Sequence, residues 1–309
     1  MFYPPAYWKQ QAREALKNHW LTALLILLTV NLPSLLVQGI ASFTGYDLMA
    51  RMQNAVYGAM TADGALDLQS FNASLEALEQ SGGVWLMQGL NVLAWLFTPC
   101  LAMGMYHWMQ LRLSGQEGEY PTVFSRLSLF FRGIGLRLYI AWRTFLFMLP
   151  GAAISLLSLI PVWRANTSSR LEALSSLNTA MSILSLGSIA MLVLGAIAAL
   201  RYALSEILMA RDPDLGIRAA AKQSRDLMRG QKGRLFLLYL SFIGWYLLEM
   251  FLVSLSLSMV GPIFSLMLEM LCSLALNAYI HTTVCAFCET LRGENAPEAA
   301  PEDPAEPQL

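Results

Sequence analysis

The sequence predicts an all-α polytopic membrane protein. Six transmembrane helices and amphipathic surface helices are expected, with both termini cytoplasmic. Three observations carry this. The chain is 56% hydrophobic and 13% charged, against about 25% charged in a soluble domain. Its apolar residues gather into runs that reach the ~20 residues a helix needs to cross a bilayer. Its cations are sorted by side, as membrane insertion sorts them.

In chain order, residues 1–19 read as a basic amphipathic helix carrying Lys9, Arg13 and Lys17. Six candidate spans follow at about 20–43, 84–111, 138–160, 179–204, 235–259 and 263–288, together forming a transmembrane domain over 20–288. Helices satisfy their own backbone groups in lipid, and the alternating period of a barrel is absent. The first run is too long for the apolar region of a cleaved signal peptide, so it counts as a retained span. Residues 289–309 are acidic and proline-rich without apolar periodicity, which predicts a disordered tail.

An even number of spans puts both termini on one side. With that side inside, Lys9, Arg13, Lys17, Arg112, Arg126, Arg132, Arg137, Arg211, Arg218, Lys222, Arg225, Arg229, Lys232 and Arg234 face the cytoplasm. Only Arg51, Arg164 and Arg170 face out, beside Asp47, Asp63, Asp67, Glu76, Glu79 and Glu172. That asymmetry follows the positive-inside rule and predicts a multi-pass protein of a cell membrane. Trp8, Trp20, Trp85, Trp108 and Trp163 sit near span ends, where an interfacial aromatic belt is expected. The first outer loop has its own helical pattern, with Leu68, Phe71, Leu75 and Leu78 at helical spacing before Gly82. Basic stretches precede the first, third and fifth spans (AREALKNHW, SRLSLFFRGIGLR and SRDLMRGQKGR). Anchoring alone generates such a pattern, so it does not establish a threefold repeat.

The most polar long segment before the tail, DPDLGIRAAAKQSRDLMRG, places Arg218, Lys222, Arg225 and Arg229 on one narrow helical stripe. Asp212 suits the cap, Pro213 the first helical position, and Gly230 the residue past the end. Ile217, Ala220, Ala221, Ser224, Leu227 and Met228 form the opposite face. The expected partners of the stripe are the lipid bilayer and its anionic headgroups, each cation contributing ~1 kcal/mol near a charged leaflet. Topological anchoring alone also accounts for it, and recruitment of a protein partner is a further use. Nucleic acid is not an expected partner.

The segment 201–245 resembles the hallmark block of a bacterial family of multi-spanning membrane proteins, domain of unknown function 975. The residues that carry the likeness are Arg201-Tyr202, Asp212-Pro213-Asp214-Leu215, Ser224, Leu227-Met228, Gly230, Lys232 and Leu235-Phe236. Above all they include Leu240-Ser241-Phe242-Ile243-Gly244-Trp245. Members of the family carry Phe-Tyr near the end of the last span, where this chain has Phe287-Cys288. The resemblance implies a membrane location and supplies no catalytic residues.

Ionisable groups at bilayer depth mark functional or packing roles. Glu249 and Glu269 flank the short turn at Gly261-Pro262, within about 6 Å of the same depth by helical rise. They suit a proton- or cation-linked site in a small-solute or ion transporter. The simpler role, a protonated carboxyl bonded to a neighbouring helix, fits the absence of any substrate motif. Arg143 and Glu206 are expected either to pair or, for Arg143, to reach back to headgroups. Asn31, Gln38, Gln88, Asn91 and Asn277 are expected to bond between helices. His281, Cys285 and Cys288 share a helix face, but structural zinc needs a fourth ligand, for which the sequence offers only the distant His107. All four cysteines fall in apolar runs and read as free thiols. No nucleotide, metallopeptidase or hydrolase fingerprint occurs. The expectation is a non-enzymatic membrane-organising component without cofactor, with transport as the alternative.

Overall fold

A computed structural model of the chain describes residues 3–45, 48–60, 68–165 and 170–295. Asp47, Asp63, Asp67 and the tail beyond Asn295 lie outside the described residues. Those described are almost entirely helical. The N-terminal helix α1 (Pro5–Leu16) turns at Asn18, a left-handed position at φ 66°, into α2 (Trp20–Thr44). Two short helices follow, α3 (Leu48–Gly58) and α4 (Leu68–Glu79). The helix legible around Leu75 is therefore present, with Gly82 opening the next element rather than closing this one. Next come α5 (Gly82–Leu113), a 3-10 segment (Tyr120–Leu129), α6 (Phe130–Leu156), α7 (Leu159–Ala165) and α8 (Arg170–Tyr202). The chain ends in α9 (Ser205–Arg211), α10 (Ile217–Leu227), α11 (Lys232–Leu240), α12 (Ile243–Met259) and α13 (Pro262–Asn295). The last helix thus runs past Cys288, through the first residues of the predicted tail.

Six helical stretches are long and apolar enough to cross a membrane: Trp20–Ala41, Gly82–Leu113, Tyr120–Pro161, Asn178–Arg211, Lys232–Met259 and Phe264–Glu294. They match the six predicted spans, usually with a longer helix. Pro33, Pro99 and Pro150 all lie inside helices that continue past them.

The end of the bundle that carries α1 and α10, the basic end, holds the larger buried core. There the second half of α13, from Ala278 to Leu291, is buried at almost every position. It packs against α1, the start of α2 and the second half of α5, with Trp8, Leu16, Ile26, Leu27, Met105, Trp108 and Phe287 fully buried. Trp8 and Trp108 therefore do not join an interfacial belt. The Trp8 ring packs edge-on against Phe287 and its N–H reaches Thr290, while the Trp108 N–H donates to the Gly118 carbonyl at 2.8 Å. Trp20, Trp85 and Trp163 are exposed, as the belt reading requires.

Toward the far end the bundle opens. Along α12 only Ser256 is buried, and the first half of α13 is largely exposed. Lipid tails are as apolar as leucine, so exposed leucines gain little by packing, and helices associate through close van der Waals contact instead. The α6–α8 pair shows this. A Cβ on Gly151 would come within 2.6 Å of the Met191 backbone nitrogen, and one on Gly187 within 2.6 Å of the Ser155 nitrogen. The glycines let the two backbones meet. Asn31, Asn91 and Asn277 do not bridge helices. Each donates to the carbonyl four residues back in its own helix, at 2.8 to 3.0 Å.

The α6–α8 contact is directly testable. Gly187→Leu forces overpacking that costs about 1–3 kcal/mol, read as a lower midpoint when the purified protein is unfolded by detergent titration or heat. Gly39→Leu, with open space around its Cβ, leaves that midpoint in place.

Candidate functional site

The hallmark segment builds the basic end. Span four is interrupted at Ala203-Leu204, and α9 continues it with Ile207, Leu208, Met209 and Ala210 buried. Asp212 does not cap α10, as the sequence suggests. It ends α9, and its carboxylate accepts the Asp214 N–H at 3.3 Å, while the Leu215 N–H closes onto the Asp212 carbonyl. Asp favours such local turns over helix. Arg132 donates to the Pro213 carbonyl at 2.6 Å, tying the turn to the start of α6. The helix then starts at Ile217, and Gly230 falls just past its end at φ 77°.

Helix α10 packs on α9 and the basic ends of α6 and α8. Ala220, Ala221, Ser224 and Met228 are buried, and Ser224 Oγ donates to the Arg201 carbonyl at 3.2 Å where α8 breaks. The apolar face is thus covered by protein. On the opposite side Arg218 and Lys222 are exposed, as is Arg229, which falls in the turn past the helix end rather than on the helical stripe, with no ion pair to them among the described residues. Arg225 differs, being half-buried and paired with Asp226 at 3.3 Å.

Other cations at this end serve packing. Lys9 donates to the Ser241 carbonyl at 2.9 Å and sits 4.2 Å over the Phe242 ring. Ser241 lies between α11 and α12, so the ammonium caps a broken span. Burial, with Arg13 nearby, pushes Lys9 below its ordinary lysine range. Arg13 donates to Tyr279 Oη at 2.9 Å, and Tyr279 bonds back to the Lys9 carbonyl. Phe242 is fully buried against Tyr279. The Leu240-to-Trp245 motif is therefore the joint at which α1 clamps the fifth span.

Arg143 does not pair with Glu206. It lies too far along α6, and its Nε donates to Tyr139 Oη at 3.2 Å, reaching back toward the basic end. Glu206 takes Arg137 instead, at 3.0 Å. The same guanidinium donates to the Trp95 carbonyl and lies over the Trp95 ring. The choice is one of register: Arg137 is two helical turns nearer the basic end, level with α9.

Glu249 and Glu269 are not joined by a hydrogen bond among the described residues. Glu269 is exposed on α13. Glu249 lines a groove between α12, α13 and the α1–α2 junction, a cavity of about 440 Å³. Trp245, Glu249 and Leu252 form one wall. Cys272, Leu276 and Tyr279 form the other, and both triplets are spaced four and three along their helices. Trp20 and Arg13 close the basic end. That spacing was available in the sequence; which two faces meet was not. His281 bonds to Tyr106 Oη at 3.4 Å, and His107 bonds to Arg126. Among the described residues no group of three or more His, Cys, Asp or Glu side chains is placed to hold a metal.

These features define a multi-pass α-helical membrane protein with a braced basic end and a side groove that reaches one acidic residue. The chain belongs to the protein family of unknown function DUF975, whose family model matches residues 3–295. No curated protein and no solved structure matches it.

The Arg137–Glu206 pair sets up a double-mutant cycle. Arg137→Met or Glu206→Gln alone strands a half-buried charge and costs about 1.5–3 kcal/mol of stability. The double variant costs less than the sum of the two, read by unfolding in detergent.

Proposed function

We propose that this chain is a non-enzymatic component of the bacterial cytoplasmic membrane that binds anionic lipid headgroups through α10. Both termini are cytoplasmic in this reading, and the basic end meets the inner leaflet. The single observation that carries it is the division of labour on α10. Its small apolar face is buried against α6, α8 and α9, while Arg218, Lys222 and Arg229 stay exposed and free of carboxylate partners among the described residues. A helix that only inserted its apolar side into lipid would keep that side uncovered. One braced by protein presents its cations in a fixed array, with little ordering entropy left to lose on binding. Lys9 and Arg13 are engaged in packing, whereas Arg218, Lys222 and Arg229 are exposed together. The groove at Glu249 is apolar and aromatic, unlike the aqueous route that an ion or small polar solute needs, and that weighs against the transport alternative.

Reconstituted in nanodiscs, the full chain is expected to prefer spin-labelled phosphatidylglycerol over phosphatidylcholine, and to lose that preference as salt rises. Replacing Arg218, Lys222 and Arg229 together with Gln removes most of the preference, at ~1 kcal/mol per cation. A triple variant as selective as the parent sinks the proposal. Orientation is checked by an impermeant maleimide on intact cells: Ser74→Cys reacts, and Ser114→Cys reacts only after permeabilisation.

A further inference from the structure

The groove between α12, α13 and the α1–α2 junction holds one carboxyl group, that of Glu249, and no described side chain bonds to it. A charged carboxylate at bilayer depth is costly when left alone. The groove walls near it are Trp245, Leu248, Leu252, Ala275 and Leu276, and the rings of Trp20 and Tyr279 stand at the basic end. Aromatic faces attract organic cations, more so when the site is dry. The volume, about 440 Å³, falls in the range of small-molecule sites. We propose that the groove binds an amphipathic organic cation, its charged centre against Glu249 and its apolar body along the two helix faces.

Arg13 does not conflict with this. Its guanidinium is turned onto Tyr279, bonded at 2.9 Å and lying 5.6 Å from the ring centre. Glu249 precedes the end of α12 by ten residues, and Tyr279 follows the start of α13 by seventeen. The helical rise therefore separates their levels by about 10 Å. The cationic centre thus sits away from Arg13, while Arg13 and Tyr279 close the groove's basic end. Access is lateral, from the lipid, because α12 is exposed along almost its whole length. A cation dissolved in the bilayer reaches Glu249 without crossing the packed core. The α10 stripe takes no part, so this site stands or falls independently of the headgroup proposal.

The test uses purified full-length protein in neutral detergent and tetraphenylphosphonium as the probe, measured by equilibrium dialysis. Tetraphenylborate, similar in shape and opposite in charge, controls for partitioning. Saturable one-site binding of the cation, with no saturable binding of the anion, is expected. Glu249→Gln weakens it at least about tenfold, the scale of one charge-assisted contact. Glu269→Gln, outside the groove, has a smaller effect. Leu252→Trp fills the groove with the carboxyl still present and also removes binding, which decides the matter if Glu249→Gln does not fold. Equal binding of both ions, uptake that never saturates, or parental affinity in Glu249→Gln or in Leu252→Trp overturns the proposal.

Discussion

The structure depends on the packing of the second half of α13 at the basic end. From Ala278 to Leu291 that helix is enclosed by α1, α2 and α5, and large side chains there are wholly buried. A membrane offers helices no hydrophobic reward for meeting, so close packing and a few polar contacts must hold them together. At the basic end the chain uses both, while toward the far end α6 and α8 meet by close backbone contact at Gly151 and Gly187. Beyond that core most of α12 and the start of α13 are exposed. A firm basic end and an open far end follow from one uneven distribution of contacts.

The breaks in the spans are where polar chemistry enters. Interrupting a helix frees carbonyls that lipid cannot satisfy. At the fifth span the Ser241 carbonyl is met by Lys9 from α1; at the fourth, the Arg201 carbonyl is met by Ser224 from α10. Each break is therefore also a fastening between distant parts of the chain. This explains the concentration of distinctive residues in 201–245. Arg201-Tyr202, the Asp212–Leu215 turn, Ser224, Gly230 and the Leu240-to-Trp245 joint shape the broken spans and the surface helix that braces them.

Two faces of the molecule then differ in physical character. The α10 stripe is a cationic array fixed by burial of its opposite side, suited to headgroups at a charged surface. The Glu249 groove is an apolar slot with a lone acid, suited to a ligand that arrives through the bilayer. They share no residues, and their recognition chemistry is opposite in sign.

Much of this was legible in the residue order. Long apolar runs are spans whatever surrounds them, because hydrocarbon thickness and backbone hydrogen bonding leave no other solution. The α10 stripe and its small opposite face were equally plain, since helical periodicity is a local property. Partnership was not legible. That Glu206 meets Arg137 rather than Arg143, that Lys9 caps the broken fifth span, that Trp8 and Trp108 are buried, and that Asn31, Asn91 and Asn277 stay within their own helices all depend on rotation and register between helices. Even the start of α10 moved, because the Asp212 turn is tied down by Arg132 from a distant helix. Composition and period act along a single helix and so are written in the chain; the meeting of two faces is decided by packing among all of them, which is why only the tertiary structure set Glu249 inside a groove and left Glu269 outside it.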